Sequence, residues 1–386
     1  MRRLRTASTR RLATIVAVLV AAVAGAGIAQ AALTTSSKPE PKPLDRALHD
    51  AVNAPPVKGV TARIEFTNHL LPAGSLPQGS ASPALTGATG RLWLADDGRL
   101  RLELQSAAGD AQIVADGKRF MVYDAATQQA FTGPLAQRTP GKHTQGRMSL
   151  GGIQAALAQL GQAWTLSGAT PSNTAGRQSY TVRLAPKDDG GLLGAAELAW
   201  DAARGVPLRA AIFAQGETDP VLELEATDIA YGPVAAGRLD ATPPKGARVT
   251  ELNPAFKRDA QGKLITVEGA DDVQAELGFK LAAPKALAGL PRTAVRLIKT
   301  GEGNGALLTY GRGLGQILVL QTRAGAGTAT APSGLTLPQV NIDGATGSEL
   351  ATALGTMLTF RRDGVQYTVV GSVPPIAAEN AARGLK

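Results

Sequence analysis

This chain of 386 residues contains no cysteine. It therefore forms no disulfide, binds no metal through thiolate, and cannot be acylated on a cysteine as a lipoprotein is. Histidine is almost as scarce. His49, His69 and His143 are the only three, and they fall on three separate predicted elements. That leaves no spacing for an imidazole metal site and no base oriented toward a serine nucleophile. A G-x-S-x-G elbow, an H-E-x-x-H pair and a P-loop are all missing. Residues 301–315, GEGNGALLTYGRGLG, never produce G-x-G-x-x-G. They lead into the strand-like ILVLQT rather than a helix, so they read as turns around a strand and not as a phosphate cradle. Asp96-Asp97-Gly98 and Asp188-Asp189-Gly190 lack the ligand series of a calcium loop and read as turns. The pairs Glu223/Glu225 and Arg99/Arg101 read as the wet faces of strands. The expectation is a protein with no catalytic residue, no metal and no cofactor, and so not an enzyme.

A concentrated basic surface is missing too. Five arginines within residues 1–11 account for much of the formal charge, and setting them aside takes it from +9 to +4. The remaining charges alternate in sign, and aromatics are only 4% of the chain. Nucleic-acid binders cluster basic residues on one face, so this chain is expected to bind no nucleic acid.

What is present begins at the N-terminus. The basic start is followed by an apolar, small-residue run over residues 12–29 and by Ala29-Gln30-Ala31, an A-x-A cleavage pattern. Residues 1–31 therefore read as a secretory signal, with a retained N-terminal membrane anchor as the alternative. Either places the rest of the chain outside the cytoplasm, in the cell envelope or secreted. Residues 32–43, including TTSSKPEPKP, read as a flexible tether. The remainder exceeds one ordinary core and implies two domains.

Leu44, Leu48 and Val52 mark a short amphipathic helix. From Val57 the period becomes two. Val60, Ala62, Ile64 and Phe66 alternate with polar residues, as do Leu100, Leu102 and Leu104, and later Tyr180, Val182 and Leu184. Alternation of this kind predicts antiparallel strands with one dry and one wet face. Asp-Gly pairs at positions 97, 116, 189, 343 and 363 predict type I′ hairpins between them. Residues 149–164 predict one helix, with Leu150, Ile153, Leu157, Leu160 and Trp164 on a face. Residues 72–87 and 324–332 read as loops. The alternation fades over residues 243–269, where the domain boundary is expected. Beyond it, strands are predicted at 306–310, 316–322, 357–361 and 366–371, and a closing helix at 375–385.

Helix, long meander, helix, meander is the order of the LolA-like fold of periplasmic lipoprotein carriers, and of the large domain of the RseB/MucB family. Leu44-Asp45-Arg46-Ala47-Leu48, Val57-Lys58-Gly59-Val60 and Gly90-Arg91-Leu92-Trp93-Leu94 resemble that pattern, and DAQIVADGKRFMVYD at 110–124 is similar to a hairpin of the family. Gly278-Phe279-Lys280-Leu281, Gly355-Thr356-Met357-Leu358 and the stretch 364–372 resemble the small domain that follows in several exported proteins. The resemblance implies an α+β protein. Residues 44–250 would form a LolA-like antiparallel half-barrel with covering helices, and residues 270–386 a small α+β domain. It also implies an apolar concave cavity for the acyl chains of a lipid, glycolipid or lipoprotein. The inward set would be Ile64, Phe66, Leu92, Leu94, Leu102, Leu104, Phe120, Val122, Val182, Leu184, Leu198, Trp200 and Leu222. The alternative is a regulator of the RseB/MucB kind, binding the external segment of an anti-sigma-type membrane protein at the junction of the two domains.

Overall fold

The structure is a computed structural model that describes residues 38–71, 83–107, 109–135, 149–187, 191–251, 267–300, 303–325 and 337–386. The signal or anchor segment, the Asp189-Gly190 turn, His143 and most of the two expected loops lie outside the described residues.

Two sheets organise the chain. The first contains thirteen strands. After helix α1 (Leu44–Val52), a meander runs outward through β1 (Gly59–Asn68), β2 (Ala88–Ala95), β3 (Leu100–Ser106), β4 (Gly109–Ala115), β5 (Arg119–Asp124) and β6 (Gln129–Pro134), with the short helix α2 (Pro83–Thr86) before β2. Helix α3 (Leu150–Leu160) then returns the chain to the far edge. There β7 (Trp164–Leu166), β8 (Thr170–Thr174), β9 (Arg177–Pro186), β10 (Leu193–Asp201), β11 (Pro207–Ala214) and β12 (Leu222–Tyr231) run back inward. The two meanders join where β12 pairs antiparallel with β1. The last strand, β13 (Arg248–Glu251), lies parallel to β6 and closes the opposite edge. The result is a curled antiparallel half-barrel with few helices, an α+β fold.

Local chemistry explains most of these elements. Ser149 caps α3, its Oγ accepting from the Gly152 N–H at 3.2 Å, which satisfies one of the donors a helix start leaves bare. The helix stops at Leu160. Trp164, expected on its face, instead opens β7 opposite Pro186, because three residues of turn reverse the chain first. Of the four described Asp-Gly pairs, 343–344 and 363–364 have positive φ at both residues. At 97–98 and 116–117 only the glycine does. There the aspartates accept backbone N–H groups instead, Asp97 from Arg99 and Asp116 from Lys118 and Arg119. The last residues of the expected tether are docked: Lys42 bridges to Ala169, and the Glu40 carbonyl accepts from the Tyr180 hydroxyl at 2.6 Å.

The second sheet has eight strands. They are β14 (Ala286–Leu287), β15 (Leu290–Thr300), β16 (Gly303–Tyr310), β17 (Ile317–Arg323), β18 (Gln339–Ile342), β19 (Ala345–Thr352), β20 (Gly355–Arg362) and β21 (Val365–Gly371), in the order β14-β15-β16-β17-β21-β20-β19-β18. Helix α4 (Ala270–Ala275) packs on β15, and α5 (Pro375–Arg383) covers one face at β18, β20 and β21. Beneath α5 the core contains Leu308, Tyr310, Val319, Leu358, Phe360 and Val369, all at 0–1% exposure. Each such side chain contributes about 1.5–3 kcal/mol by burial. Gln321 is a polar residue buried among them at 0% exposure. Its amide is satisfied in both directions by the Ala282 backbone, at 2.6 and 2.9 Å.

Candidate functional site

Strand register places all thirteen residues of the expected inward set on one face of the large sheet. This is the face that carries α1, and it is called the inner face below. Its residues divide into three groups. Ile64 and Leu104 are buried in a cluster with Val60, Ala226 and Leu208, and Phe66, Leu92, Leu94 and Leu102 pack at its border. Val182 and Trp200, flanked by Leu184 and Leu198, pack under α1 against Ala47 and Ala51. Phe120, Val122 and Leu222 lie outside both clusters.

One cross-strand row shows what this division means. Ala62, Leu92, Leu102, Ile113, Val122 and Phe131 are direct neighbours on successive strands from β1 to β6. Ala62 is 4% exposed, the next three are half-buried, and Val122 and Phe131 are each 37% exposed. The row starts in the core and emerges into solvent without changing chemical character. A contiguous apolar row of this kind is what an apolar guest needs, whereas isolated exposed hydrophobic residues are ordinary.

The sheet changes its buried side as this happens. On β2 and β4 to β6 the outer face is the dry one, with Trp93, Val114, Met121, Ala130 and Thr132 at 0–5% exposure. A turn of 3₁₀ helix at residues 236–239 brings Leu239 against Trp93 and Ala95, and the Arg238 guanidinium lies 5.4 Å from the Trp93 ring centre. The segment following β12 thus covers Trp93 and Ala95 through Val234 and Leu239.

On the other half of the sheet the outer face carries a charge ladder. Glu197 accepts from Arg183 and from Arg209, each at 2.7 Å, and Arg209 also donates to Glu223. Burial acts to raise the Glu197 carboxyl, but the two arginines overcome it and hold the pKa below the usual value. These groups stabilise one another and leave no reactive side chain in excess.

A second apolar feature lies at the junction of the two sheets. A groove of about 420 Å³ is lined by Leu70 from the end of β1 and, across it, by Leu314, Leu318, Leu350, Leu354, Met357 and Val370, with Gln316, Thr352, Thr356 and Ser372. None of these was in the expected inward set. The Ala353 N–H donates to the Leu70 carbonyl at 2.9 Å, and the Leu192 N–H to Ser372 Oγ at 3.0 Å. A sequence signal was available. β17, β20 and β21 carry ILVL, ML and VV, apolar on both faces, yet only one face meets α5.

Among the described residues no group of histidines, aspartates and glutamates could hold a metal ion, and no helix is long and apolar enough to cross a membrane.

No family profile matches the sequence, and no curated protein matches it. Solved structures do. The chain is similar to MucB of Pseudomonas aeruginosa in its complex with MucA, at 18% identity and a TM-score of 0.43, over 88% of this chain and 94% of that one. A structure of MucB with MucA(peri) gives 18% and 0.41, over 89% and 96%. A putative outer membrane lipoprotein-sorting protein domain from Vibrio parahaemolyticus gives 11% and 0.19, over 49% and 92%. These are the families that the sequence resembles. The likeness is distant, and binding of MucA is a property of MucB.

Proposed function

We propose that this chain is a non-enzymatic binding protein of the cell envelope that carries or senses the acyl chains of a lipid, glycolipid or lipoprotein on the inner face of its large sheet. The observation that carries this reading is the row from Ala62 to Phe131, which passes from 4% to 37% exposure while remaining apolar. An acyl chain laid along Leu102, Ile113, Val122 and Phe131 removes its own surface and theirs from water, for about 0.8 kcal/mol per methylene. The thirteen inward residues take two roles in this reading. Those under α1 and around β1 hold the sheet, while Phe120 and Val122, with Phe131, meet the guest. The export pattern at the N-terminus supplies the location.

Organic extraction and native mass spectrometry of the purified protein test this. Co-purifying acyl lipid is expected, together with saturable binding of a fluorescent palmitoyl probe. Phe131→Asp changes an exposed side chain, so it leaves the fold intact and weakens probe binding by about tenfold or more, equivalent to about 1.4 kcal/mol. Protein that is lipid-free and fails to bind the probe refutes the reading.

A further inference from the structure

The junction groove has its floor on the second sheet and shares no lining residue with the inner face of β4 to β6. We infer that it is a second binding site, which takes the single chain of a monoacyl ester and leaves the head group in solvent. Leu318, Val370, Met357 and Leu350 are direct cross-strand neighbours on β17, β21, β20 and β19. They form a continuous apolar floor on the face away from α5. Leu314 and Val370 are left 40% and 39% exposed at the mouth, and Leu70 stands at the wall formed by the first sheet.

The polar residues of the lining identify the guest. Among the described residues no ionisable side chain lines the groove, so none of them compensates a buried charge, which would be costly. The hydroxyls are already committed. Thr356 donates to the Val373 carbonyl and Thr352 to that of Gly355. Ser372 donates to the Leu354 carbonyl and accepts from the Leu192 N–H. A polypeptide laid in this groove would bury main-chain N–H and C=O groups with no partners there, each at a cost. A hydrocarbon chain has no such requirement. Gln316 alone among the four polar residues makes no hydrogen bond with the described residues. It lies on the same face as Leu318, two residues nearer the junction. One neutral amide suits an ester carbonyl, and it is insufficient for a carboxylate. The volume, about 420 Å³, falls within the ~300–1,000 Å³ of small-ligand sites.

The test is photolabelling of the purified full chain with monopalmitoylglycerol bearing a diazirine near the chain end, followed by peptide mapping. Labels are expected on peptides covering 314–320, 350–357 and 366–372. Val370→Asp should reduce that labelling by about tenfold. Phe131→Asp should leave it unchanged, which separates this site from the inner face. Gln316→Leu should retain labelling but weaken competition by unlabelled monopalmitoylglycerol relative to a hydrocarbon of equal length. Labels confined to residues 109–134, or no specific labelling at all, would overturn the inference. So would stronger competition by palmitate than by the ester, or displacement by an apolar decapeptide.

Discussion

Glu349 is a single carboxylate on the wrong side of its strand. It points to the α5 side of β19, is 8% exposed, and its Oε2 has no hydrogen-bond partner among the described residues. Burial raises its pKa above the usual 4.5, and the nearby Glu379 adds to the effect. The sign follows from linkage: a carboxyl that holds its proton more tightly when folded costs stability once the unfolded chain can ionise. That cost is absent well below pH 4.5 and grows as the pH rises through the folded pKa. Glu349→Gln should therefore stabilise the protein at pH 7 by about 1 kcal/mol, with the gain disappearing near pH 3. Urea denaturation at the two pH values measures this, and equal effects at both would show that the carboxylate charge is not responsible. Asp201 is the contrasting case. It is also buried, but it accepts from the Tyr231 hydroxyl at 2.7 Å and from the N–H groups of Ala203 and Arg204. Burial and this carboxylate together keep the Tyr231 proton in place.

Strands in this protein derive their stability from their neighbours on both faces. The Arg183–Glu197–Arg209–Glu223 ladder ties β9, β10, β11 and β12 on the outer side while apolar residues pack inside. Because Arg209 holds two carboxylates at once, Arg209→Met leaves Glu197 and Glu223 half-buried and short of a partner. The expected loss is about 1–3 kcal/mol at pH 7. Glu197 has a depressed pKa, so its contribution is present above the unfolded value and lost as the pH falls through the folded one. The variant and the parent should thus converge on acidification. Thermal melts from pH 7 to pH 3 follow this, and a constant difference would assign the loss to packing of the arginine stem. At Glu65, directly opposite Glu225, like charges meet across strands. The Glu225 carboxyl is raised by burial and then by Glu223.

At the scale of the molecule, the two sheets meet through small, close contacts. Gly191 has a φ of +67°, and a β-carbon there would lie 2.0 Å from the Ser372 carbonyl oxygen. Any side chain at this position drives the two halves apart while leaving both cores untouched. Gly191→Val should enlarge the radius of gyration in small-angle scattering and remove the 314–372 photolabelling, with little change in labelling of the inner face. An unchanged scattering curve would mean that the junction yields elsewhere.

Period-two alternation grouped residues such as Ile64, Phe66, Leu102, Leu104, Val182 and Leu184 by face, because a strand offers only two sides and register carries the choice from neighbour to neighbour. Apolar spacing also located α1 and α3. The sequence likewise contained the reason to expect no catalytic group. Exposure along the Ala62-to-Phe131 row was beyond its reach. Leu92 and Val122 look alike in one dimension, and the difference between them is what stands in front of each. The sheet buries its outer side at Trp93 because Val234 and Leu239, on the segment after β12, fold back against it. The junction groove exists only because Leu70 and Ser372, about three hundred positions apart, are held together. Local pattern determines which side chains share a face; long-range covering determines which of those faces meets water.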